Sequence, residues 1–326
     1  MLNFCTLFDS NYLAKGLCMY NSLKEVCSDF HLYVFAFDDK ALEILTELHL
    51  ENVTLIPLAE FEDKELLNVK PSRTKAEYCW TSTPSTILYC LKKFKIEHCT
   101  YVDADLYFYI DPKILVDEMG TNDVLITEHR YTQQYDQSLK SGKYCVQFMC
   151  FKNTEKGLLV LNWWRNACLD WCYNRVEDGK FGDQKYLDDW TTRFEGVHEL
   201  QHLGGGMAPW NVQQYEIKNK NRKLVGIENT TNNSFELVFY HFHHVSNQNF
   251  KLYNEFYIGP YFISGSTLKH IYRPYMKRLK RIDKNIKSID LSFDCLGSTV
   301  VNYSLFKLVA HFVKNNFKRN KIIWLR

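Results

Sequence analysis

The sequence predicts an α/β protein: a mixed sheet flanked by helices, followed by a basic helical C-terminal extension. Three observations lead there. Short apolar runs alternate with amphipathic helical stretches through the first half of the chain. The run "HLYVFAF" is apolar at nearly every position, as a strand covered on both faces must be. Charge is also divided along the chain. Residues 269–326 hold fourteen Lys/Arg against three Asp and carry +11, so residues 1–268 carry −9 of the net +2. That division sets residues 1–265 apart from a basic extension, 266–326. The first segment divides further into two halves, 1–111 and 112–265.

Taken in order, "NFCTLF" is a short strand, and "NYLAKGLCMYNSLKEV" places Leu13, Leu17, Tyr20 and Leu23 on one helical face. "HLYVFAF" is the second strand, "ALEILTELHL" a helix and "NVTLIPL" a third strand. A helical stretch begins near Arg73 and restarts at "TSTPSTILYCLKKF", where Thr83 can cap the helix and Pro84 can take its first position. "HCTYV" is the next strand and delivers Asp103 and Asp105 at its carboxyl end, the side on which open α/β sheets bind ligands. Later, "DVLITEH" and "YCVQFMCF" read as strands and "GLLVLNWWRNACLDWCYNRV" as a long helix. "EDGKFGDQKYLDDW" is a loop entering a helix, "HLGGGMAPWN" a glycine loop, and "LVFYHFHHV" a strand.

Composition narrows the function classes. The eleven Cys are scattered without a CxxC pair, and Cys168 and Cys172 fall at i, i+4 on the expected helix as small buried hydrophobes. This usage fits a reducing cytosol. The opening "MLNFCTLFDSNY" lacks the basic start and apolar run of a secretory leader, and no run approaches the roughly 18 apolar residues of a spanning helix. The acidic body argues against a broad nucleic-acid surface. A cytoplasmic protein is expected.

Five constellations could carry chemistry. Asp103-x-Asp105 could turn two carboxylates toward one point, since alternate residues of an extended chain face the same way. Hard oxygen ligands suit Mg²⁺ or Mn²⁺. A capped strand end is the plain alternative. "FYHFHHV" offers His241 and His243 on one face, and imidazole also binds Mn²⁺. Zinc lacks further Cys or His at useful spacing. Asp183 and Gln184 could meet a loop-bound ligand or simply cap a helix. Gly204–Gly206 permit close backbone approach, with Trp210 and Asn211 following. In "FDSNYL", Asp9 could accept from a base or ribose and Tyr12 could stack on the base, or Asp9 could form an Asx-turn.

In this order, "FDSNYL", "YVDADLYF", "FGDQKYLDDW" and "FYHFH" resemble a nucleotide-sugar glycosyltransferase of the GT-A fold, and the layout is similar to glycosyltransferase family 8. "EYCWTSTP", "YVDADLYF", "WCYNRVEDGKFGDQKYLDDW" and "HLGGGMAPWN" are similar to a group of bacterial glycosyltransferases of surface-polysaccharide clusters. The similarity spans roughly residues 3 to 260 and implies that 1–111 is a nucleotide-binding half and 112–265 a donor-sugar and acceptor half. It implies that Thr6, Phe8, Asp9, Asn11 and Tyr12 hold the nucleoside, with Arg73, Thr83 and Asp103 near the nucleotide. Asp103, Asp105 and His241 would hold Mn²⁺ (or Mg²⁺), with His243 the alternative ligand. Asp183 and Gln184 would lie at the reacting sugar. Gln147, Gly204, Gly205, Trp210 and Asn211 would line the donor or acceptor sugar. One departure stands out: where family 8 has Asn-Ser-Gly on a strand, this chain has Cys145-Val146-Gln147.

The expected reaction is transfer of a sugar from a nucleoside-diphosphate sugar, most readily a UDP-sugar, to a glycan or lipid-linked acceptor. Retention of configuration is implied by the family alone. Two rivals stand beside it. A sugar nucleotidyltransferase should carry a glycine-rich basic loop after the first strand, and "FDSNYLAKG" lacks one. A non-catalytic carbohydrate-binding protein on the same fold would be compatible with the altered Cys145-Val146-Gln147 segment. The tail "YSLFKLVAHFVKNNFKRNKIIWLR" could lie on an anionic membrane surface, holding the protein at the inner face of the cell membrane. A solvated helix packed on the body is the alternative.

Overall fold

The computed structural model describes residues 1–250, 253–304, 307 and 321–325. The chain runs through β1 (Leu2–Phe8), α1 (Leu13–Val26), β2 (Phe30–Ala36), α2 (Asp39–Leu48), β3 (Val53–Pro57), α3 (Leu58–Phe61), α4 (Lys64–Val69) and α5 (Lys75–Phe94). It continues with β4 (His98–Val102), β5 (Leu106–Phe108), α6 (Lys113–Glu118), β6 (Val124–Glu128), α7 (Ser138–Ser141), β7 (Tyr144–Lys152), α8 (Glu155–Asp170), α9 (Trp190–Arg193) and β8 (Val197–Glu199). Seven strands form one sheet in the order β3-β2-β1-β4-β7-β6-β8. Strands β3, β2, β1 and β4 run parallel, and β7 is antiparallel to both neighbours. The expected mixed sheet is therefore present.

Strand alternation divides the side chains into two cores. Phe4, Leu32, Val34, Val102 and Phe148 face one layer, which includes α1 and α2. Cys5, Tyr33, Phe35, Tyr101 and Met149 face the other, beneath α5 and α8. Apart from His31, "HLYVFAF" is apolar because β2 lies inside the sheet with a core on each face.

Beyond β8, β9 (Tyr215–Lys220), β10 (Lys223–Glu228) and β11 (Ser234–Glu236) form a small antiparallel sheet. Next, β12 (Phe239–His241) pairs antiparallel with β5. A last sheet, ordered β15-β13-β14-β16, joins β13 (Val245–Asn249), β14 (Tyr253–Ile258), β15 (Thr299–Val300) and β16 (Lys321–Leu325). Between β14 and β15 lie α10 (Gly265–Thr267) and α11 (Arg273–Ile286). The basic α11 keeps Lys and Arg outside and buries Tyr275, Met276, Leu279, Ile282 and Ile286 in the core that contains α1. Arg278 also pairs with Glu25 of α1 at 2.8 Å. Most of the tail segment 303–326 lies outside the described residues. No described helix is long and apolar enough to cross a membrane.

Three local expectations are corrected. α5 is one continuous helix with Pro84 inside it, so Thr83 caps nothing. Its start is set by Thr74 and Glu77, which form a reciprocal capping box. The helix α8 ends at Asp170, so Cys172 lies beyond it, although Cys168 and Cys172 are both fully buried. The strand expected over "LVFYHFHHV" stops at His241, because His244 adopts φ 63° and turns the chain before β13.

Candidate metal and nucleotide-sugar site

The site forms at the carboxyl end of β4. Asp103 and Asp105 do not lie on an extended strand; they occupy the turn after it, closed by the Leu106 amide donating to the Asp103 carbonyl at 3.2 Å. The chain then enters β5, and β12 pairs with it so that His241 stands opposite Leu106. The Phe242 amide donates to the Asp105 carbonyl at 2.9 Å. This register brings His241 Nε2 to 3.0 Å from Asp105 Oδ1 and 3.7 Å from Asp103 Oδ2. Ligand atoms of all three residues fall within 4.8 Å of one another. His243 is not among them; it packs edge-on to Trp210 and beside His244.

The charges of these three residues are tightly linked. Burial alone would lower the basicity of His241, but the adjoining Asp105 carboxylate outweighs it and holds the imidazole well above its usual range. Burial opposes ionisation of Asp105 as well, yet His241 keeps its carboxyl below the usual range. Burial pushes Asp103 up to about 6, with His241 opposing. Two carboxylates and one imidazole form a donor set that fits Mn²⁺ or Mg²⁺.

Asp183 lies close by. Burial and the Asp103 carboxylate push its acid up to about 8, with the nearby Thr83 hydroxyl opposing the shift. Its carbonyl accepts from Trp164 Nε1 at 2.8 Å, which ties the loop to α8. Gln184 is half-buried and begins a short 3-10 turn. The Thr83 hydroxyl donates to the Cys79 carbonyl at 3.2 Å within α5.

The loop after β1 presents Asp9, Asn11 and Tyr12. Asp9 accepts from the Asn11 amide at 3.0 Å and from its side chain at 3.1 Å. The Tyr12 ring is 44% exposed, and burial of its hydroxyl and the carboxylates of Asp105, Asp103 and Asp9 raise its pKa. Thr6 and Phe8 are buried beneath this loop. From the C-terminal segment, the Cys295 carbonyl accepts from the Ala14 amide at 3.1 Å. A Cβ on Gly297, whose φ is +58°, would stand 2.7 Å from the Asn11 carbonyl oxygen. Arg73 turns to Tyr173, its guanidinium 3.9 Å from the ring centre, and donates to the Leu169 carbonyl.

The glycine loop lies against the Asp103/Asp105/His241 cluster and is buried. Trp210 Nε1 and Asn211 Nδ2 both donate to the His129 carbonyl, at 2.9 and 2.8 Å. Trp210 packs edge-on against His241. Gly204 and Gly205 are buried in the same loop, and the Val238 amide donates to the Gly204 carbonyl at 3.0 Å. Gln147 is fully buried, with Oε1 2.8 Å from His241 Nδ1.

Several participants were missed from sequence. The Tyr101 hydroxyl donates to Asp103 Oδ1 at 3.0 Å. Tyr101 lies two residues before Asp103, and that spacing was the available signal. Lys15, in the first turn of α1, has its ammonium 3.9 Å from the Tyr12 ring centre. Burial lowers its basicity, and Asp105 and Asp9 oppose that shift. No local pattern separates this lysine from a solvated one.

No family model matches the chain. The uncharacterized protein YfnD of Bacillus subtilis (strain 168) is 34% identical over 295 residues, spanning 88% of this chain and 91% of that protein. YfnF of the same organism is 28% identical over 306 residues, spanning 90% and 97%. Among solved structures, the galactosyltransferase LgtC in complex with donor and acceptor sugar analogues matches with a TM-score of 0.51 at 12% identity, covering 86% of this chain and 96% of that one. Mouse xyloside xylosyltransferase 1 in its apo form gives a TM-score of 0.48 at 12% identity, covering 74% and 98%. With its seven-stranded mixed sheet and the Asp103/Asp105/His241 cluster at a strand end, this chain has the GT-A glycosyltransferase fold and belongs to the same family as Bacillus subtilis YfnD.

Proposed function

We propose that the protein is a metal-dependent glycosyltransferase that moves a hexose from a nucleoside-diphosphate sugar to a glycan or lipid-linked acceptor in bacterial surface-polysaccharide synthesis. The observation that carries this reading is the convergence of Asp103, Asp105 and His241 from two distant segments beside the loop of Asp9, Asn11 and Tyr12. That the galactosyltransferase LgtC, which shares the fold, is seen in complex with donor and acceptor sugar analogues adds support.

In this reading Asp103, Asp105 and His241 hold Mn²⁺ or Mg²⁺, which would stabilise the charge developing on the leaving nucleoside diphosphate. Asp9 and Asn11 meet the ribose or base, Tyr12 stacks on the base, and Thr6 and Phe8 support that loop from beneath. Thr83 holds Asp183. Lys15 faces the diphosphate as a cation. Asp183 and Gln184 border the reacting sugar, and the glycine loop with Trp210 and Asn211 backs the sugar side. Retention of configuration, which needs no carboxylate base at Asp183, is the course that the family resemblance implies. The basic extension would bring the enzyme to the inner face of the membrane and its lipid-linked acceptor.

The test is a screen of UDP-, GDP- and CDP-sugars for Mn²⁺-dependent thermal stabilisation, followed by product analysis. Release of a nucleoside diphosphate supports the transferase. Release of pyrophosphate from a nucleoside triphosphate and a sugar phosphate would instead identify a nucleotidyltransferase. Binding without any turnover would leave a carbohydrate-binding protein.

A further inference from the structure

Gln147 stands where the sequence departs from the family 8 pattern, and its surroundings give it a definite task. It lies on β7, next to β4, and is fully buried. Its carbonyl accepts from the Asp103 amide at 3.0 Å. Its side-chain Oε1 stands 2.8 Å from His241 Nδ1. One residue thus touches both halves of the cluster, the acidic turn through its backbone and the histidine through its side chain. Gly206 leaves room for this arrangement: at φ +91°, a Cβ there would stand 3.4 Å from Gln147 Nε2 and 2.8 Å from Thr127 Cγ2.

We infer that the Gln147 side-chain amide is the positioning group that keeps the proton of His241 on Nδ1, leaving the Nε2 lone pair free to bind a cation between Asp103 and Asp105. A neutral imidazole carries one N–H, and a metal-bound nitrogen cannot hold it. In the metal-free chain Nε2, 3.0 Å from a carboxylate oxygen that can only accept, carries a proton of its own; once a cation takes that proton's place, the one remaining proton must sit on Nδ1, and a buried N–H there needs an acceptor. Gln147 Oε1 is in place to accept it. The Cys145 thiol also lies against His241 but is a weak acceptor. Such outer partners fix the tautomer and ring orientation of metal-binding histidines, and their loss typically weakens metal affinity about 10- to 100-fold. The inference rests on the metal-clamp reading above.

The test compares wild type, Gln147→Met and Gln147→Glu as full chains. Met keeps the length but removes the acceptor; Glu restores an acceptor of the same length. Mn²⁺ affinity of the sugar-free protein, measured by electron paramagnetic resonance, should fall about 10- to 100-fold in Gln147→Met and recover in Gln147→Glu. Histidine ¹⁵N spectra of the Mg²⁺-loaded wild type should show His241 protonated at Nδ1 alone. Unchanged Mn²⁺ affinity in Gln147→Met, or a His241 proton on Nε2, would overturn the role of Gln147 while leaving the clamp intact. A wild type that binds no Mn²⁺ would overturn the clamp and this role together. If Gln147→Met does not fold, the wild-type tautomer decides.

Discussion

His241 Nε2 stands 3.0 Å from Asp105 Oδ1 because β12 pairs with β5 in the register that sets His241 opposite Leu106, the residue after Asp105. A slip of one residue would turn His241 to the other face and bring Phe242 to the carboxylates. The pair is buried, so neither partner is well served by water once the other is gone. Asp105→Asn should therefore abolish Mn²⁺-dependent stabilisation. In chelator it should also lower folding stability by about 3–5 kcal/mol, because it leaves a buried charge uncompensated. Asp103→Ala should abolish the Mn²⁺ response with a smaller loss, since its side chain is 29% exposed. Thermal melts with Mn²⁺ and with EDTA check both. Variants that respond to Mn²⁺ as wild type does would remove the metal assignment.

Asp183 supplies a pH dependence with a definite sign. Its carboxyl titrates near 8 in the folded chain and near 4 when unfolded. Between those values the folded chain holds a proton that the unfolded chain has released. Its contribution is therefore full below about pH 4 and is lost as pH rises through about 8, at up to roughly 1.4 kcal/mol per pH unit. Asp183→Asn should flatten that slope. Urea unfolding of metal-free protein at pH 5, 7 and 9 measures it, and equal slopes in the two proteins would refute it.

Lys15 sits in the first turn of α1, where the helix dipole disfavours a cation and where burial lowers its basicity. A bound diphosphate would relieve both costs. Lys15→Met should weaken UDP binding about ten- to a hundredfold, the scale of a hydrogen bond to a charged group, and leave uridine binding unchanged. Calorimetry with the two ligands separates phosphate recognition from a general loss of the pocket.

Gly206→Ala should cost about 1–3 kcal/mol. The added methyl would stand 2.8 Å from Thr127 Cγ2 on a backbone with φ +91°. Chemical denaturation is the measurement, and a neutral result would mean that the loop relaxes freely.

For the basic extension, two truncations should behave differently. Ending the chain at Gly265 removes Tyr275, Met276, Leu279, Ile282 and Ile286 from the core and should lower the melting temperature sharply. Ending it after Tyr303 keeps α11 while removing the amphipathic basic tail. If the tail holds the protein on membranes, the second truncation should fail to sediment with vesicles containing anionic lipid, whereas the full chain sediments. Equal sedimentation would discard the tail as an anchor.

The sequence by itself determined the α/β class, the order of the first strands and the location of the acidic pair. These depend on local signals: runs apolar on both faces, helical periodicity, and carboxylates that interrupt an apolar segment. Tertiary pairing decided which histidine faces that pair. Sequence spacing made His241 and His243 equivalent, but β12 ends at His241 and only that residue lies in register with the acidic turn. It also joined the two halves of α5, since the Thr74–Glu77 capping box and burial against the sheet outweigh the local break at Pro84. The contacts of Gln147 with Asp103 and of Lys15 with Tyr12 had no sequence signal. Each depends on contacts between residues far apart or on the folded loop after β1, and such geometry exists only once the chain has packed.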